Sequence, residues 1–117
     1  MTMNEAGKDY GCSISELLQL LGETANHVGF HYTVCAVQVA IENPDCLLMV
    51  TKWLYPETAK RMGVAASAIE RGIRSTVELV WSREPEQMQK ALNVKLLERP
   101  TASAFVAMLC VYYQSMQ

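Results

Sequence analysis

Arg71 and Arg74 stand one helical turn apart, with Glu70 and Ser75 beside them, in a stretch with a helical apolar period. Four such side chains on one helix face have a defined chemistry. An arginine can set two parallel N–H donors against O6 and N7 of guanine, a glutamate can accept from N4 of cytosine, and a serine can reach a base edge or a phosphate. Ile69, Ile73, Thr76, Val77 and Val80 fall at i, i+4, i+7, i+8 and i+11, an inward stripe, whereas Ser67, Glu70, Arg71, Arg74, Ser75 and Glu78 fall on the other side. Arg71 lies in the N-terminal half of the helix expected over 66–82 and Arg74 at its middle, near the part that usually enters the major groove. On spacing alone, the same face also suits an ordinary solvated helix.

Other chemistries are poorly served. No Ser/His/Asp set, glycine-rich phosphate loop or close acid pair is present, so no catalytic residue, cofactor or small-molecule substrate is expected, and no enzyme. His27 and His31 are four apart, but Gly29 lies between them and no third ligand is near, so no metal is expected. Cys12, Cys35, Cys46 and Cys110 have neither a CxxC pair nor zinc spacing. With no secretory leader at the start, the reading is a cytoplasmic protein with reduced thiols, most of them packed as small hydrophobes, Cys12 or Cys46 being the candidates for exposure. The longest mostly apolar run, 104–113, is about half of a membrane span, so no membrane is expected.

The elements that must position the arginine face follow from apolar period and breakers. The chain has 117 residues, half of them apolar, which is one domain with a real core. Residues 1–11 are polar and without period and read as a flexible lead-in, with a single helical domain over 12–117. Ser13 and Glu16 form a capping box ahead of Ile14, Leu17, Leu18 and Leu21, and Gly22 closes that helix. A second helix, 30–41, is apolar on more than one side. Asp45 is the expected N-cap of a helix over 46–54, which should stop before Tyr55-Pro56 because a residue before proline avoids the α region. Pro56 opens a short helix to Met62, and Gly63 turns the chain into 66–82. Ala59, Gly63 and Ile69 have the relative spacing of a helix-turn-helix: a small residue, a glycine at the turn, an inward aliphatic anchor. A short helix over 86–92, an irregular stretch and a last helix over 103–113 complete an all-α bundle of five to six short helices. Phe105, Val106, Met108, Leu109, Val111 and Tyr112 surround much of the last helix, which is either deeply buried or part of a dimer interface. Trp53, Tyr55, Trp81, Tyr112 and Tyr113 read as core and helix-docking aromatics.

The formal charge is −2, which argues against a nucleic-acid partner only when averaged over the chain. Residues 1–50 carry one lysine against six acids. Residues 52–83 carry Lys52, Lys60, Arg61, Arg71, Arg74 and Arg83 against Glu57, Glu70 and Glu78, and 84–117 balance. The basic share thus sits in the helix-turn-helix, and DNA binding through it should be weak and salt-sensitive.

The segment Thr51-Lys52-Trp53-Leu54-Tyr55-Pro56-Glu57-Thr58-Ala59-Lys60 resembles the "TKxLYPxxAK" segment of the effector domain of stage-zero sporulation protein A, the master response regulator of endospore formation in Gram-positive spore formers. Ala66-Ser67-Ala68-Ile69-Glu70-Arg71-Gly72-Ile73-Arg74 is similar to that family's "ASxVERAIR", and 80–83 and 100–108 continue the likeness, which spans 12–112. The resemblance implies a six-helix domain that binds short DNA boxes, commonly as a tandem dimer. It places Glu70, Arg71 and Arg74 on the major groove, with Ser75 where a histidine is usual. It makes Lys52 and Arg99 phosphate contacts, with Thr101 and Ser103 adding contacts at a helix terminus. The family's early basic positions are here Val28 and Val34, which removes the phosphate contacts that basic side chains would make at those positions. Gly72 replaces an alanine, at a cost of about 1 kcal/mol unless close packing needs it. The chain is expected to lack the family's receiver domain.

The leading expectation is a sequence-specific transcription regulator of double-stranded DNA. Glu70, Arg71, Arg74 and Ser75 would read bases, and Lys52, Lys60, Ser67, Arg99, Thr101 and Ser103 would hold phosphates. A homodimer or tandem dimer on DNA would form through helix 103–113. The acidic first half and the lost basic positions support a second reading, a protein-interaction module with decayed DNA binding that pairs with a full-length regulator.

Overall fold

Two strongly apolar helices cross at the centre of the molecule, and the rest of the chain is arranged around them. The computed structural model describes the backbone of residues 5–116 and the side chains of 13–116, and the described residues hold six α-helices and no strand. They are α1 (Glu5–Leu20), α2 (Val28–Glu42), α3 (Tyr55–Met62), α4 (Ala66–Arg83), α5 (Pro85–Leu92) and α6 (Ala102–Ser115). Helix α2 packs against α1, α3, α4 and α6, its largest contact being with α4. It buries Gly29, Phe30, Thr33, Cys35, Ala36, Val37, Val39 and Ala40, more than half of its circumference, as a central helix must. Helix α6 buries Phe105, Val106, Leu109, Cys110 and Tyr113 in the same core, which leaves Val111 as its exposed aliphatic. No helix among the described residues is long and apolar enough to cross a membrane.

Close approach of α2 and α4 is made by glycine. A Cβ on Gly29 would collide with the carbonyl oxygen of Gly72 and the hydroxyl of Thr76, and one on Gly72 would lie 2.5 Å from Tyr32 Cδ2. Gly72 is therefore needed by packing, and its helix-propensity cost is offset where the two backbones touch.

Two local expectations are corrected. Helix α1 starts at Glu5, so Ser13 and Glu16 lie inside it and form no capping box at its start. Glu5, Ala6 and Lys8 are good helix formers, and extending an anchored helix over them outweighs a local cap signal. The expected lead-in thus falls partly on α1 and partly, at 1–4, outside the described residues. The second correction lies before α3. Instead of one helix over 46–54, the chain makes a 3₁₀ turn at Pro44–Leu48, with Asp45 inside it, and a π turn at Val50–Leu54. Tyr55 itself begins α3 in the α region, at φ −66° and ψ −42°. Its N–H reaches back to the Val50 carbonyl, and Pro56 falls in the first turn of α3, where proline is tolerated. Burial of Leu54 and Tyr55 holds this arrangement against the usual pre-proline preference.

Helix α6 opens with the Thr101 hydroxyl oxygen accepting the Ala104 N–H at 3.2 Å. Thr101→Ala removes this cap and should lower stability by about 1 kcal/mol in a urea melt, with the slope unchanged.

Candidate nucleic-acid interface

Helix α4 divides along its length as its sequence implies. Ile69, Ile73, Thr76, Val77 and Val80 are buried. Ser67, Arg71, Arg74 and Glu78 are exposed in a continuous stripe, flanked by the half-buried Glu70 and Ser75. The turn before it is made by Gly63, at φ 71° and ψ 35°, in open space. Gly63 and Val64 both send their N–H groups to the Ala59 carbonyl, which ends α3 sharply. Ala59 and Ile69 are buried on either side of this turn, so the small residue and the aliphatic anchor do the packing their spacing implied.

The two arginines are in different states. Arg74 Nη1 donates to both carboxylate oxygens of Glu70, at 2.8 and 2.7 Å, an ion pair one turn long on the helix surface. Arg71 makes no hydrogen bond or ion pair with another described residue. It lines a shallow depression of about 270 Å³ with Ser75, Ala68, Gly72, Tyr32 and His27. Glu70 and Arg74 lie toward Tyr55 and the start of α6. Burial pushes the Tyr55 phenol up, the Glu70 charge adds to this, and Ser103 and Arg74 oppose it. Ser103 therefore stands beside the base-reading candidates, and Thr101 is two residues away with its hydroxyl proton still available to a donor contact. Arg99 reaches α4 through Glu78 at 3.5 Å, at the far end of the outward stripe.

Lys52 and Lys60 are brought together elsewhere. They line a groove of about 500 Å³ beside the π turn and α3, with Trp53, Pro56, Glu57 and Arg61. Arg61 in that groove is already bound by Glu42 at 2.6 Å and Glu57 at 3.1 Å, and both pairings push its guanidinium up. Trp53 is half exposed there, whereas Tyr55 and Tyr113 are buried as docking aromatics.

Two polar contacts that organise the face were not read from the sequence. Glu23, in the link between α1 and α2, is buried and accepts from Thr76 on α4 at 2.7 Å. Arg83 donates to the Gly22 carbonyl at 2.9 Å, so the same corner holds α4 twice. Arg61–Glu57 was findable from its four-residue spacing, but Glu23–Thr76 joins residues 53 apart and has no local signal. His27 and His31 have separate partners, Glu23 at 3.1 Å and the Ala25 carbonyl at 2.7 Å. Cys35, Cys46 and Cys110 are free and buried, which corrects the candidate exposure of Cys46, and burial pushes the Cys110 thiol up to about 12. The Cys12 side chain lies outside the described residues.

An all-α domain that buries one face of α4 and presents arginines on the other has the form of a DNA-binding effector domain. The sequence matches the family model described as sporulation initiation factor Spo0A C terminal over residues 14–112, and the chain belongs to that family. The family is a DNA-binding effector family of sporulation regulators, not an enzyme family.

Proposed function

We propose that this chain is a sequence-specific DNA-binding regulator of cytoplasmic location that inserts α4 into the major groove as the second helix of a helix-turn-helix. One observation carries the reading: the outward face of α4 holds Arg71, without an ion-pair partner among the described residues, between Ser67 and Ser75, while the opposite face is fully committed to the core. Arg71 is the primary base reader, and Arg74 reads a base only after leaving Glu70. Releasing an exposed pair of this kind costs about 0.5 kcal/mol, so Glu70 acts as a filter on Arg74 rather than a block. Ser75 reaches the base or phosphate next to Arg71. Ser67 and the start of α4, Thr101 and Ser103 at the start of α6, and Arg99 hold the phosphates that border the groove. Lys52 and Lys60 supply a further, sequence-independent contact from the α3 side. A second copy on a neighbouring box adds affinity that one modestly basic face lacks, with Val111 and the half-buried Met108 and Tyr112 of α6 as its contact surface.

Repeated selection from a random duplex pool at low salt, followed by gel shift, tests this. Enrichment of one sequence is the expected result. A chain that shifts no duplex and elutes as a DNA-free dimer would instead be an interaction module. Lys52→Ala should weaken binding to all sequences alike and lower the slope of log affinity against log salt by about 1. An unchanged slope removes Lys52 from the interface.

A further inference from the structure

The α1–α2 link holds a side chain that the DNA-binding reading does not use. The Glu23 carboxylate is wholly buried, a costly position for a charge unless every lone pair is served. It accepts from the Thr24 N–H at 2.9 Å through Oε1, and through Oε2 from the Thr76 hydroxyl at 2.7 Å, with His27 Nδ1 at 3.1 Å. Thr76 belongs to α4, so the carboxylate registers the imidazole against that helix. The His27 side chain is 46% exposed even so. It lines the depression that contains Arg71 and Ser75, and on its other side the one that contains Gly22, Leu79 and Arg83. A buried carboxylate thus aims a half-exposed imidazole along the edge of the arginine face.

We propose that His27 is a phosphate-binding residue, aligned by Glu23, on the α2 border of that face. The inference rests on the DNA-binding reading and adds to it a ligand from the half of the chain whose other basic positions are valines. Its chemistry follows from donor counting. An ionised carboxylate only accepts, so Nδ1 carries a proton, and in the neutral ring Nε2 is an acceptor that a phosphate oxygen repels. A second proton makes Nε2 a donor and the ring a cation, and a phosphate contact becomes a charge-assisted hydrogen bond. The contact therefore requires the doubly protonated ring. Among the described residues, the charged groups that share the ring's two depressions are Glu23 from the link and Arg71 and Arg83 from α4, with Tyr32 as the titratable neighbour on α2 and His31 turned to the Ala25 carbonyl. His27 is the binding residue and Glu23 the positioning residue.

The test is fluorescence anisotropy of the full chain on a short mixed-sequence duplex at low salt, between about pH 6 and about pH 8. Wild type should bind about three- to tenfold tighter at the acid end, because one proton is taken up with the contact. His27→Gln should flatten that difference and lower the salt slope by about 1 at the acid end only. His27→Lys should restore tight binding and make it independent of pH, a rescue that a merely structural histidine would not allow. His31→Gln should keep the wild-type step. If His27→Gln keeps both the step and the slope while Arg71→Ala weakens binding at each pH, the phosphate role of His27 is wrong and the DNA-binding reading stands. If wild type binds no duplex at any pH, both fall.

Discussion

Gly29→Ala lowers the stability of this domain by about 3 kcal/mol or more and drops Tm by roughly 15 °C. The new methyl group meets the Gly72 carbonyl oxygen and the Thr76 hydroxyl, and neither has anywhere to go. The carbonyl is part of the α4 backbone, and the hydroxyl is held by the buried Glu23 carboxylate. Relief requires α2 and α4 to move apart along the largest helix contact in the molecule, with loss of packing for Ile73 and Val77. Two comparisons isolate the cause. Gly72→Ala meets the Tyr32 ring, a half-buried side chain that can turn away, so its loss should be smaller. Gly63→Ala meets no atom within 4 Å, and costs only the left-handed backbone, about 1 kcal/mol. A Gly29→Ala protein that melts within about 1 kcal/mol of wild type would mean the helices do not touch at this point. Because the crossing also sets the orientation of α4, a folded Gly29→Ala protein should bind DNA less tightly than its stability alone predicts.

Arg71→Ala should cost about 1–3 kcal/mol of discrimination at one base pair of a selected site, a factor of roughly 5 to 150, with a smaller loss on random DNA. Arg71 is exposed and has no partner among the described residues, so its truncation leaves no buried group of theirs stranded and should change stability by less than about 0.5 kcal/mol. Arg74→Ala is expected to cost less, because Arg74 brings with it the work of leaving Glu70, at 2.7 and 2.8 Å. Glu70→Gln should then raise affinity for all duplexes, since it frees Arg74 and removes a negative charge from the face. Titration of each variant against the selected site and a one-base variant of it separates the two arginines. Equal losses for Arg71→Ala and Arg74→Ala would show that the ion pair plays no part in binding. No loss for either would remove α4 from the major groove.

Much of this was legible in the chain itself. The inward stripe of α4, Ile69 to Val80, is buried residue for residue as its period implied, because one helix packed on one side obeys a single local rule. The turn at Gly63 and the end of α5 were equally local. The expectation of a helix stopping before Tyr55-Pro56 failed for a reason that no window of sequence contains. Burial of Leu54 and Tyr55 against the core outweighs a preference that ranks backbone states only for an isolated dipeptide. The site shows the same division. Arg71 and Arg74 look alike as letters one turn apart, yet one is held by Glu70 and the other is not.

The sequence by itself determined the all-α class, the family, the outward position of Ser67, Arg71 and Arg74, and the basic share of residues 52–83. These depend on periodicity, ordered motifs and counting, which survive without knowing what any helix touches. The tertiary structure alone decided that Gly29 and Gly72 form a backbone contact, that Glu23 is a buried anchor rather than one more surface acid, and that His27 borders the arginine face. Each joins residues far apart in the chain, and the free energy of such a contact depends on burial and geometry that exist only once the helices have packed.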